Sequence, residues 1–121
     1  MARISIFTGR EARLNKAVFW ILAKQSPLTI YDIWQKLRDQ KDFAYIHYHI
    51  ANRRVRALER QDFIQRVGER RTKMGLMAAL YQLTARAYLA IVLDKIDLDD
   101  FIEKAPDDIV LSVLVAFTSM R

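Results

Sequence analysis

The stretch RRVRALERQDFI, residues 53–64, places Arg53, Arg54, Arg56 and Arg60 within eight positions. A guanidinium is permanently charged, planar and rich in donors. It matches phosphate oxygens, and it meets the O6/N7 edge of guanine with two hydrogen bonds. Asn52, next to the run, carries the amide that does the same for adenine N6 and N7. A helix from about Phe43 to Arg60, turning about 100° per residue, puts Tyr45, His49, Asn52, Arg53, Arg56 and Arg60 on one side. Ala44, His47, Tyr48, Ala51, Val55 and Leu58 fall on the other, apolar side. Arg54 lies nearer the apolar edge, where a paired or snorkelling role is expected. A second basic set follows in GERRTKMG, residues 68–75: Arg70, Arg71 and Lys73 against the single Glu69. An ordinary solvated helix face carries mixed charge, whereas these two sets carry one sign and so fit an anion.

Other chemistry finds little support. His47 and His49 are two residues apart, which on a helix turns them away from each other. With no cysteine in the chain, no metal site is expected. The acids Asp94, Asp97, Asp99, Asp100, Glu103, Asp107 and Asp108 lack the glycine that a calcium loop needs, and helix capping accounts for most of them. The sequence contains no nucleophile–base arrangement, no phosphate-binding glycine loop and no dinucleotide fingerprint, so neither catalysis nor a cofactor is expected.

The chain has 121 residues, 52% of them apolar, which suits one domain with a real core. Its net charge of +6 favours polyanionic partners. That charge is unevenly placed. Residues 53–73 carry 8 basic and 3 acidic side chains, whereas residues 94–121 carry 3 basic and 7 acidic. No apolar run approaches the about 20 residues of a spanning helix, and the N-terminal MARISIFTGREARLN is too charged for a signal peptide. A cytoplasmic protein with no membrane association is expected, consistent with the absence of cysteine.

Glycine and proline are scarce, so helices should dominate and each breaker should mark a boundary. Thr8 and Glu11 form a capping-box pattern ahead of Leu14, Ala17, Val18, Ile21 and Leu22. Thr29 can cap a second helix carrying Ile30, Ile33, Trp34 and Leu37, and residues 39–42 read as the turn before the basic helix. FIQRV (63–67) and LMAALYQL (76–83) flank the glycine-bounded basic loop as a hairpin. Thr84 can then cap a fourth helix with a stripe of Ala85, Tyr88, Leu89, Val92 and Ile96. Asp97 can cap a short fifth helix, and Pro106 can open a last helix that is apolar nearly all round. So much apolar surface in residues 85–117 implies burial against a second copy of the chain, with Phe19 and Trp20 possible contributors.

SPLTIYDIWQKL, RRVRALERQDFIQRV and ALYQLTARA resemble the second helix, the recognition helix entering the wing, and the wing exit of PadR-like and MarR-like winged helix-turn-helix regulators, particularly archaeal ones. The resemblance covers roughly residues 12–95. Gln61–Asp62 replaces the Lys–Gly pair common at that junction, and the DQKDFAY entry is long. The resemblance implies a mainly α fold with a small β-hairpin. Residues 1–83 would form the winged helix-turn-helix and 84–121 a helical dimerisation region. The resemblance does not identify the ligand; placed on this fold, the one-signed stripe and loop and the apolar C-terminal helices lead to the expectation of a homodimeric, sequence-specific regulator binding double-stranded DNA through Tyr45, His49, Asn52, Arg53, Arg56, Arg60, Arg70, Arg71 and Lys73. The alternatives are a winged-helix protein–protein adaptor and a non-specific architectural DNA-binding protein.

Overall fold

A computed structural model of the chain describes residues 5–95 and 98–119. The expected roles of Ile96 in the fourth helix and of Asp97 as a cap lie outside the described residues. Among the described residues, six α-helices and one two-stranded antiparallel sheet follow the order α1 (Ala12–Lys24), α2 (Ile30–Arg38), α3 (Tyr48–Arg60), β1 (Ile64–Arg71), β2 (Met77–Leu83), α4 (Ala85–Lys95), α5 (Leu98–Lys104) and α6 (Asp107–Ser119).

The apolar stripe of α1 is buried as its spacing requires: Leu14, Ala17, Val18, Ile21 and Leu22 all face the core. Phe19 joins them and packs edge-on against Phe7, with ring centroids 5.2 Å apart. The expected capping box is absent. Glu11 occupies the N-cap, and Thr8 donates its hydroxyl to the Ser5 carbonyl, 3.0 Å away, closing a short 3-10 turn at Ser5–Phe7. Gly9, at φ +81°, turns the chain between that turn and the helix, so Thr8 lies one turn too early to cap it.

In α2 the capping box does form. Thr29 Oγ1 accepts from the Asp32 amide at 3.1 Å, and the Asp32 carboxylate accepts from the Thr29 amide at 3.2 Å. Ile30, Ile33 and Leu37 are buried beneath it. The third helix starts at Tyr48, later than its periodicity suggests. Residues Lys41–Phe43 form a 3-10 turn, and the Ile46 carbonyl accepts from the indole N–H of Trp34 at 2.9 Å. Residues 44–47 form the entry loop between that turn and α3.

Ala51, Val55 and Leu58 are fully buried on the inner face of α3. The helix ends in a Schellman arrangement: the Phe63 amide reaches the Leu58 carbonyl and the Asp62 amide reaches that of Glu59, each at 3.0 Å. Asp62, at φ +65°, takes the left-handed position usually given to glycine. The unusual Gln61–Asp62 pair thus ends the helix without a glycine.

β1 and β2 pair from Ile64 with Leu83 out to Arg71 with Met77, with a register shift between Arg66 and Gly68. The sheet therefore runs through Gly68, and the connecting loop shrinks to residues 72–76. The Thr72 amide donates to Leu76 O at 2.7 Å, and Gly75, at φ +81°, completes the turn. A bridge between Leu28 and Tyr81 docks the inner half of the hairpin beside α2.

Thr84 caps α4 through the Ala87 amide at 3.3 Å. The buried face of α4 differs from the expected stripe: Ala87, Ala90 and Ile91 turn inward, while Tyr88 and Val92 are 44% and 51% exposed. Two alanines permit close approach to the core beside Ile91, Leu89 is half-buried, and Tyr88 and Val92 are left outside. On α6, which begins just after Pro106, Ile109, Leu111, Leu114 and Val115 are all exposed in the protomer.

Candidate nucleic-acid interface

The winged unit brings α3 and the hairpin to one side. On α3, Arg53, Arg56 and Arg60 are exposed, and none has an ion pair among the described residues. Several other arginines are paired with carboxylates. Arg54 is turned inward, 18% exposed at its side chain, with Glu11 at 3.7 Å, which is the structural role its position suggested. Arg66 pairs with Glu69, Arg13 with Asp42, and Arg86 with Asp62 at 3.9 Å. Arg60 also sits in the last turn of α3, where a cation complements the helix dipole.

Asn52 is half-buried on the flank of α3. It helps line an open groove of about 230 Å³ between α3 and the hairpin, together with Tyr31, Tyr48, Arg56, Met77 and Ala78. His49 is exposed in the first turn of α3. Tyr45 lies off the helix, in the entry loop, and is 95% exposed. It therefore does not share the α3 stripe on which the sequence reading placed it.

The two histidines also differ from expectation. His47 is the N-cap of α3 in extended geometry, φ −79° and ψ 147°, so its ring is not bound by helical spacing. It stacks on His49 with centroids 5.6 Å apart and planes 20° from parallel. Among the described residues no group of three or more His, Cys, Asp or Glu is placed to hold a metal.

The wing divides its cations. Lys73 is exposed in the 72–76 loop and has no ion pair among the described residues. Arg71 ends β1 and donates to the Gly75 carbonyl at 3.2 Å, bracing the turn. Arg70 lies within β1, not in the loop, and meets the Asp32 carboxylate at 2.9 Å. The loop is also more apolar than its charge suggested: Met74 is 85% and Leu76 67% exposed.

Sequence reasoning missed an aromatic row on this face. Tyr31 and Tyr48 each pack edge-on against Trp34, with centroids 5.5 Å apart in both pairs, and both tyrosines remain exposed. Periodicity assigns Tyr48 to the inner face. Its exposure follows from its place as the first helical residue, beyond the reach of the core. Arg38 adds a cation 4.9 Å from the Trp34 ring.

No protein-family model matches the sequence, and no curated protein matches it. Solved structures do. The chain is similar to the PadR-like transcriptional regulator BC4206 from Bacillus cereus strain ATCC 14579, with a TM-score of 0.57 and 10% identity, covering 93% of this chain and 99% of that one. It is also similar to diamide-treated YodB from B. subtilis, with a TM-score of 0.56 and 14% identity, covering 82% of this chain and 84% of the other. Identities this low speak for architecture alone. Among the described residues no helix is long and apolar enough to cross a membrane. With its mostly helical order and antiparallel hairpin, the chain has the winged-helix fold of the PadR-like regulator.

Proposed function

We propose that the protein is a homodimeric transcriptional regulator that binds double-stranded DNA sequence-specifically. The observation that carries this reading is the outward ridge of Arg53, Arg56 and Arg60, unpaired among the described residues while neighbouring arginines are neutralised. In the major groove, Arg53 and Arg56 offer bidentate contacts to guanine and Asn52 to adenine, with His49 on the same flank. Arg60 and Lys73 meet phosphates, and the wing loop follows the adjacent backbone or minor groove.

The dimer is supported by α6, whose Ile109, Leu111, Leu114 and Val115 would be covered by a second copy. Two recognition helices would then lie about 34 Å apart over a roughly palindromic site. The acidic C-terminal quarter would sit away from the duplex. Catalysis has no part in this reading. The same bare α6 face also suits a protein–protein adaptor, and light scattering separates the two: a monomer without DNA affinity at about 50 mM salt favours the adaptor. Selection from random duplex DNA tests the main reading. Enrichment of a two-fold symmetric motif is expected; recovery of unenriched sequences would leave a non-specific architectural role.

A further inference from the structure

The wing is fastened to the body at two levels. At its inner end the Leu28 and Tyr81 main chains exchange hydrogen bonds of 3.0 and 2.8 Å. Beyond that level the sheet passes the irregularity between Arg66 and Gly68, where a strand bends most easily. Among the described residues the outer half is joined to the body by one ion pair, Arg70 with Asp32 at 2.9 Å, besides the apolar packing of Ala79. Asp32 is well chosen as an anchor. Its side chain is only 23% exposed, and the same carboxylate oxygen accepts from the Thr29 amide in the α2 capping box. The wing is thereby tied to the helix that packs beneath α3. The groove between α3 and the hairpin is lined on the hairpin side by Met77 and Ala78, on the strand that pairs with Arg70 and Arg71.

We propose that Asp32–Arg70 is a latch that fixes the angle of the wing relative to the recognition helix, and that Arg70 is a positioning residue, not a phosphate contact. This rests on the DNA-binding reading for its consequence, but not for its geometry. A free Arg70 would neutralise a phosphate and contribute to the salt dependence of binding. A latched Arg70 instead spares the complex the cost of ordering the wing.

The two roles predict opposite signs at Asp32. If Arg70 contacts phosphate, removing its acidic partner should tighten binding. If it latches the wing, removal should loosen the wing and weaken binding. On a selected duplex, Arg70→Gln and Asp32→Asn should each weaken affinity about two- to fivefold, in keeping with a partly exposed ion pair. The double variant should be no weaker than either single one, Arg70→Lys should recover part of the loss, and the salt slope should stay unchanged. A slope reduced by about 0.9 in Arg70→Gln, with tighter binding by Asp32→Asn, would overturn the proposal.

A measurement without DNA keeps the geometry testable if no duplex is bound. The chain has no cysteine, so spin labels at Met74→Cys and Gln40→Cys, diluted with unlabelled protein, report the wing-to-body distance directly. A narrow distribution is expected in the parent and in Thr29→Ala, which loses one cap bond but keeps both latch partners. A broad one is expected in Arg70→Gln and Asp32→Asn. Equal widths in all four, or broadening by Thr29→Ala as large as that by Arg70→Gln, would refute the latch whatever the DNA result.

Discussion

Helices α3 and α6 have the same length, 13 residues, and opposite problems. α3 buries Ala51, Val55 and Leu58 completely in its own protomer and turns cations outward. α6 carries acids only at its start and leaves Ile109, Leu111, Leu114 and Val115 in solvent. The first helix is complete in its apolar contacts and incomplete in its electrostatic ones. The second is the reverse. Each unsatisfied face points to a different partner: a polyanion for α3, a second apolar surface for α6.

Substitutions can break this contrast at either end. Leu58→Ala, beneath α3, should cost about 2–5 kcal/mol in chemical denaturation, because the lost packing leaves a cavity in a fully buried site. Leu114→Asp on α6 should instead leave the winged unit folded by circular dichroism and weaken self-association by about 2 kcal/mol or more in sedimentation equilibrium. An unaltered association constant would remove α6 from the interface. Lys73→Ala should weaken binding to all duplexes alike and lower the salt slope by about one unit, with no change in melting temperature. Arg54→Ala should have the smallest effect, roughly 0.2–1 kcal/mol of stability, because its ion pair with Glu11 is long and partly solvated. An Arg54→Ala variant that is stable but loses base preference would move that residue onto the reading face.

Much of the winged unit was legible because local pattern and tertiary structure agree there. Thr29 caps α2, the inner stripe of α3 is buried at Ala51, Val55 and Leu58, and the two strands form the hairpin. What was not legible depended on partners distant in sequence. The Ile46 carbonyl accepts from Trp34, twelve residues away, and α3 begins only at Tyr48, so Tyr45 lies off the helix and His47 is its N-cap. Asp32 takes Arg70, which a charge count of the wing credits to the loop. On α4, periodicity favours the larger residues for the core, whereas the close approach of α1 and β2 selects Ala87 and Ala90. Charge in a sequence marks the region of an interface. Which cations remain available is decided by where the carboxylates fold.

The role proposed for Arg53 on α3 is to read a base edge. It is tested most directly by titrating the wild-type protein and Arg53→Ala against the selected duplex and a scrambled control at one salt concentration. A loss of about 1–3 kcal/mol on the selected duplex and little on the control is expected, so that the discrimination between them shrinks. Affinities unchanged on both duplexes would contradict it.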